Sequence, residues 1–179
     1  LIDGVWTDEG GASPAGKDGR YQRADSRFRN WITPDGAPGP EGEGGFEAEA
    51  GRYHLYAAIN CPWAHRTMIV RTLKKLNDAV TLSTVLPRRT DQGWVFVEDG
   101  HQDPILGKAS LHEIYTESDA HYTGRVTVPV LWDKDRGVIV NNKSSEIIRM
   151  LNSAFGNLGD VGVDLYPEAA RPVIDEWNA

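Results

Sequence analysis

Apolar positions along this chain fall into short, separated groups whose spacing predicts the elements. Tyr53, Leu55, Ala57 and Ile59 alternate with their neighbours, which is the period of a strand. Pro62 stands where the first helical position tolerates proline, and Ala64, Met68, Leu73 and Leu76 follow at helical spacing. Asn77-Asp78 is expected to end that helix. Residues 80–86 read as a second strand, with Val80, Leu82 and Thr84 on one face. Residues 88–123 are long for a connection, and within them 106–115 can form a helix with Leu111, Ile114 and Tyr115 facing inward. The apolar run 126–132 predicts a buried strand. Asp133-Lys134-Asp135-Arg136-Gly137 then makes a turn, and Val138-Ile139-Val140 returns as the second strand of a hairpin. Asn141 or Asn142 is expected to cap a helix whose apolar face is Ile147, Ile148, Leu151 and Phe155. Residues 156–167 read as a linker, and Pro172 opens one more helix.

The first two strands, joined by a helix, are expected to be parallel, and the last two form a hairpin. One small mixed sheet of four strands with helices on both faces satisfies that order, an α/β fold. Residues 1–51 differ from the rest. They hold eleven of the nineteen glycines and four of the ten prolines, so runs such as Pro34-Asp35-Gly36-Ala37-Pro38-Gly39-Pro40 cannot be helix or central strand. Trp6, Tyr21, Phe28, Trp31, Ile32 and Phe46 are nevertheless scattered through them, whereas disordered linkers are poor in aromatics. The expected organisation is an ordered, loop-rich arm at 1–51, pinned by aromatic anchors, then a compact domain at 52–156. Residues 157–179 follow as a linker and the start of a further helical region.

A net charge of −7 with both signs interleaved argues against a nucleic-acid surface. No apolar run approaches the roughly 20 residues that span a bilayer, so no membrane partner is expected. There is one cysteine, Cys61, which rules out a disulfide scaffold and a cysteine-based zinc site. It fits a reducing, cytoplasmic setting. The five histidines show no metal-binding spacing, so no metal is expected. Arg88-Arg89 is too short a basic run to read as more than solvated surface.

Cys61 lies between a predicted strand and the first turn of a predicted helix. Open N–H groups and the positive end of the helix dipole favour thiolate over thiol at such a place. His65 and Arg66 add positive charge nearby. A lone cysteine is most often a buried and inert one, but this context favours a nucleophile. The residue three positions on is Ala64, so there is no internal resolving thiol. A mixed disulfide on Cys61 must be released by an outside thiol, for which glutathione is the abundant choice. Val128-Pro129 puts a proline inside a strand-like run. Either the strand is an edge, or the bond is cis and turns the Val128 backbone toward a peptide-like ligand. Asn142-Lys143-Ser144-Ser145-Glu146 is a polar cluster at a helix start, suited to capping or to an anion.

Several stretches resemble the glutathionyl-hydroquinone reductases, the Xi class of glutathione transferases, related to the omega class. They are 51–56 (GRYHLY), 61–67 (CPWAHRT), Gly93-Trp94, 124–133 (GRVTVPVLWD) and 144–155 (SSEIIRMLNSAF), with 1–6, 28–32 and 38–46 in the arm. The resemblance implies a thioredoxin-like domain. It also implies an enzyme in which Cys61 takes glutathione from a glutathionyl-hydroquinone and a second glutathione regenerates the thiol. By the same resemblance Trp94 packs over glutathione, and Val128 before Pro129 supplies a backbone contact. Lys143 and Ser144 fall where the γ-glutamyl end binds, and the molecule is a homodimer. The family usually has Glu at the place of Lys143. Its members continue into an all-helical C-terminal domain, largely absent from this chain. Dehydroascorbate reduction, deglutathionylation or a non-catalytic glutathione-fold module remain alternatives at this stage.

Overall fold

The computed structural model describes residues 1–7, 25–97 and 100–178; Tyr21 lies outside them. Four strands form one sheet: β1 (Tyr53–Ala57), β2 (Val80–Thr84), β3 (Val130–Asp133) and β4 (Val138–Asn141), in the order β2-β1-β3-β4. β1 pairs parallel to β2 and antiparallel to β3, and β3 pairs antiparallel to β4. Helices α1 (Pro62–Leu73), α2 (Leu111–Ser118), α3 (Ser144–Ser153) and α4 (Arg171–Asn178) complete the chain order. This is a thioredoxin-like α/β arrangement, with the parallel pair and the hairpin where the periodicity puts them.

Alternation along the strands divides the core in two. Tyr53, Leu55, Leu131 and Val140 pack with Val70, Ile147, Met150 and Leu151 from α1 and α3. Tyr56, Val130, Trp132 and Ile139 pack on the opposite face with Leu111, Ile114 and Tyr115 from α2. Every residue of β1 is therefore buried, where a one-sided strand would have alternated.

Several boundaries differ from the sequence pattern. α1 ends at Leu73, because Lys75 takes a left-handed backbone (φ 53°) and stops the helix before Asn77-Asp78. Its inward residues are Ala64, Thr67, Val70 and Arg71, while Leu73 and Ile59 stand exposed. Arg71 is tolerated inside because its guanidinium donates to the carbonyls of Val80 and Asn77. The inward helix of the long insert starts at Leu111, where the Glu113 carboxylate accepts from the amides of Ser110 (2.8 Å) and Ala109 (3.1 Å). The residue before α3 is Lys143, neither asparagine; Asn141 instead accepts from the Lys143 amide (2.7 Å).

The described parts of the arm lie against both cores. Ile32 and Phe46 are buried with the α1/α3 side, and Phe28 stacks on Tyr122 and meets Tyr115 edge-on. Arg29 grips Glu146 of α3, which also accepts from Asn141 Nδ2 (2.8 Å). At the far end of the sheet Asp133, fully buried, takes Arg52 through Nε (3.0 Å) and Nη2 (2.6 Å). The same carboxylate accepts from the amide of Asp135 (2.9 Å), tightening the hairpin turn that Gly137 closes at φ 64°.

His54 sits in β1 with no exposure, its Nδ1 2.7 Å from Thr81 Oγ1 and its Nε2 unpartnered among the described residues. Burial pushes this imidazole down to about 4 from its usual 6.5. The folded state holds it neutral while the unfolded chain protonates near 6.5, so its contribution is intact above that value. It is lost as pH falls from 6.5 to about 4. His54→Gln should flatten the stability-against-pH curve in that window by roughly 3 kcal/mol. Urea unfolding at pH 7.5 and pH 4.5, wild type against variant, measures the difference.

Candidate active site

Cys61 is the residue before α1, in an extended conformation (φ −97°, ψ 112°) and partly exposed. Pro62 brings no N–H to the first turn. The amides of Ala64 and His65 both return to the Cys61 carbonyl, at 3.0 and 2.8 Å. The Trp63 amide has no backbone acceptor among the described residues. The sulfur thus stands at an open helix end with the dipole directed at it.

Cys61 lines a cleft of about 170 Å³ together with Trp63, Arg89, Trp94, Arg125 and the segment 126–128. The wall opposite the helix is this last segment. The Val128-Pro129 peptide bond is cis, and the ladder between β1 and β3 ends at Tyr56–Val130, leaving the Val128 edge beyond it. Trp94 enters on a tight turn in which the amides and carbonyls of Thr90 and Gly93 exchange hydrogen bonds (2.8 and 2.9 Å). That turn brings Arg89 beside it, the guanidinium 6.0 Å from the Trp94 ring centroid. Gly93 has φ 73°, and a Cβ there would lie 2.8 Å from the Trp6 ring, which fills its place. Trp6 is stacked on His112 and donates to the Asp91 carbonyl (2.8 Å).

The hydroxyl of Tyr115 fixes the opposite wall. It donates to the Thr127 carbonyl (2.8 Å) and accepts from the Thr127 amide (3.2 Å) and Asn142 Nδ2 (3.1 Å).

Of the residues singled out by sequence, the structure brings Cys61, Trp94 and Val128 to one cleft. Arg66 stands apart, its guanidinium over the Trp63 ring at 5.2 Å and hydrogen-bonded to Ser144 Oγ (2.7 Å). This bond ties α1 to the start of α3. His65 is exposed and does not line the cleft. Lys143, 3.7 Å from Glu146, opens on a different cavity of about 800 Å³ with Trp31 and Arg149. Arg89 and Arg125 also line the Cys61 cleft. Arg89 is exposed, as expected of solvated surface, and the Thr90–Gly93 turn sets it beside Trp94 at the edge of the cleft. Among the described residues no group of His, Cys, Asp and Glu could hold a metal. No helix among them is long and apolar enough to cross a membrane.

The family model for the glutathione S-transferase N-terminal domain matches residues 60–154, from just before Cys61 to the end of α3. The chain belongs to the glutathione S-transferase family. The glutathionyl-hydroquinone reductase YqjG of Escherichia coli is 50% identical over 99% of this chain and 55% of its own length. The glutathionyl-hydroquinone reductase PcpF of Sphingobium chlorophenolicum is 45% identical over 100% of this chain and 54% of its own length. The chain thus spans about half the length of those relatives. The glutathione-bound structure of YqjG superposes with a TM-score of 0.86 at 48% identity, covering 99% of this chain and 53% of that one. A Xi-class transferase from Natrialba magadii gives 0.80 at 40% identity, covering 98% and 51%.

Tyr115→Phe removes one oxygen and strands the Thr127 amide and carbonyl and the Asn142 amide. It should lower unfolding stability by about 1–3 kcal/mol with the fold retained. Urea titration with far-UV circular dichroism checks both.

Proposed function

We propose that this chain carries the glutathione-binding, thiol-transferring part of a glutathionyl-hydroquinone reductase. The observation that carries the reading is the placement of the sole cysteine at the N-terminus of α1, open to a cleft walled by Trp94 and the Val128 edge. In this reading residues 52–156 are the glutathione-binding unit, 1–51 the arm that braces it, and 157–179 the passage toward a helical region. The relatives' names supply the substrate class, and a reducing cytoplasm supplies the thiol.

Cys61 as thiolate attacks the glutathionyl sulfur of the substrate. The carbon–sulfur bond breaks, and its electron pair goes to the ring carbon, which takes a proton and leaves as hydroquinone. Cys61 is left in a disulfide with glutathione. A second glutathione thiolate attacks the glutathione sulfur of that disulfide, giving glutathione disulfide and returning the electron pair to Cys61.

The Trp94 ring packs on the bound tripeptide, and the backbone of Val128, ahead of Pro129, pairs with its cysteinyl part as an added strand. Lys143 and Ser144 at the start of α3 receive the γ-glutamyl end, Ser144 being held by Arg66. Arg66 adds positive charge on the helix that Cys61 begins, and His65 stands beside it on the same helix. Placing Lys143 near the glutathione ammonium sets like charges together, a cost that a carboxylate there would reverse.

Cys61→Ser should slow glutathionyl-hydroquinone reduction by roughly 10³-fold or more while glutathione still binds. Mass spectrometry after oxidised glutathione should show one glutathione on wild type and none on the variant; a variant retaining the wild-type rate rules out the nucleophile. Lys143→Glu should tighten glutathione binding by about 0.5–1.5 kcal/mol, read by calorimetric titration. No gain in affinity would remove Lys143 from the site.

A further inference from the structure

Residues 1–6 touch the segments that carry both walls of the Cys61 cleft. Ile2 and Val5 close a tight turn, each amide donating to the other's carbonyl (3.0 and 2.9 Å). On one side this turn is bound to residues 122–124. The Gly4 amide donates to the Tyr122 carbonyl (3.0 Å), and the Asp3 amide donates to Thr123 Oγ1 (2.8 Å). The Leu1 carbonyl accepts from the Gly124 amide (3.1 Å). From Gly124 the chain runs straight into 125–128, the wall that ends on the Val128 edge. A side chain on Gly4 would meet the Ala120 carbonyl oxygen at 2.0 Å, so the approach here is backbone to backbone.

On the other side Trp6 is set against the turn that carries Trp94. Its indole N–H donates to the Asp91 carbonyl, and its six-membered ring takes the space beside Gly93. The same indole stacks on His112 with ring centroids 4.7 Å apart. His112 Nε2 lies 3.3 Å from Gln92 Oε1, so residues 91, 92 and 93 are all held from this one place. An indole has only two rotatable side-chain bonds, and a hydrogen bond with a stack leaves it little freedom. The Trp94 carbonyl itself accepts from the Leu111 amide (2.8 Å), so the turn before it is the part that Trp6 governs.

We propose that Trp6 is a positioning residue for glutathione: with 1–5 anchored on 122–124, it holds Trp94 at the separation from the Val128 edge that the tripeptide needs. The inference rests on the reading of this cleft as the glutathione site. Trp6 is not among the residues that line the cleft, and it acts through Asp91 and Gly93. Without it the turn is free, Trp94 must be ordered each time the tripeptide binds, and affinity falls accordingly. The reactivity of the sulfur, set by the start of α1, does not pass through Trp6.

A double-mutant cycle tests this in the Cys61→Ser chain, where no reaction at the sulfur intervenes. By calorimetry Trp6→Ala should weaken glutathione binding about fivefold. Trp6→Phe, which keeps a ring beside Gly93, should recover part of that loss. In the Trp94→Ala background Trp6→Ala should weaken binding no further. A full second loss there, or no loss with Trp94 in place, overturns the assignment. With Cys61 intact, alkylation by iodoacetamide needs no tripeptide site and should run at the same rate in wild type and Trp6→Ala. A change as large as the binding loss means general loosening and overturns the proposal. Hydrogen exchange without ligand reads the placement itself. Trp6→Ala should speed exchange at the Thr90 and Gly93 amides and leave β1 unchanged; an unchanged turn, or β1 exchanging faster as well, overturns the proposal. A chain with Trp6 and Trp94 intact that binds no glutathione overturns the reading of the cleft, whereas the exchange result still supports or overturns the hold of Trp6 on the turn.

Discussion

A single buried hydroxyl, that of Tyr115, holds the backbone that shares a cleft with Cys61. The segment before β3 has left the sheet, so its peptide groups need other partners. Tyr115 serves as both donor and acceptor to Thr127 and orients Asn142 at the same time. Its ring is fully buried against Tyr122 and Phe28, so the oxygen has little freedom to move. The insert between β2 and β3 therefore does more than connect strands: its helix carries the group that anchors Thr127 in the cleft wall.

Charge is used sparingly and mostly at seams. Arg52 with Asp133 joins the start of β1 to the end of β3, and Arg29 with Glu146 joins the arm to α3. Each carboxylate is also hydrogen-bonded by another group, Asp133 by backbone amides and Glu146 by Asn141. That additional bonding offsets the loss of water that makes isolated buried pairs weak. Arg66 with Ser144 follows the same pattern between α1 and α3, the two helices whose N-termini face the proposed tripeptide. Removing one partner from any of these seams would leave the other group poorly solvated, so their effect lies more in fixing geometry than in adding stability.

The sheet was legible in the sequence because alternation survives in both layers of the core, as Tyr53 and Leu55 on one side and Tyr56 on the other illustrate. Cys61 was legible because strand, proline and helical spacing meet there. Helix ends were less so. Lys75 ends α1 through its backbone angle, and no residue-type signal marks a lysine for that. Arg71 is buried inside α1 because two carbonyls from the following loop and β2 happen to receive it, a partnership set by tertiary contact alone. Arg89 and Arg125 reach the cleft from segments distant in sequence, and only the folded chain brings them to one cleft with Cys61.

Gly93 and Trp6 are separated by most of the arm and two strands, yet the indole occupies the space a side chain at 93 would need. The loop bearing Trp94 and Arg89 is consequently shaped from outside its own neighbourhood. Proteolytic trimming of the first seven residues, or a bulky affinity tag crowding them, would reach the Cys61 cleft through that wedge. Preparations that differ at this end thus differ in how that loop is held, even with every cleft residue unchanged.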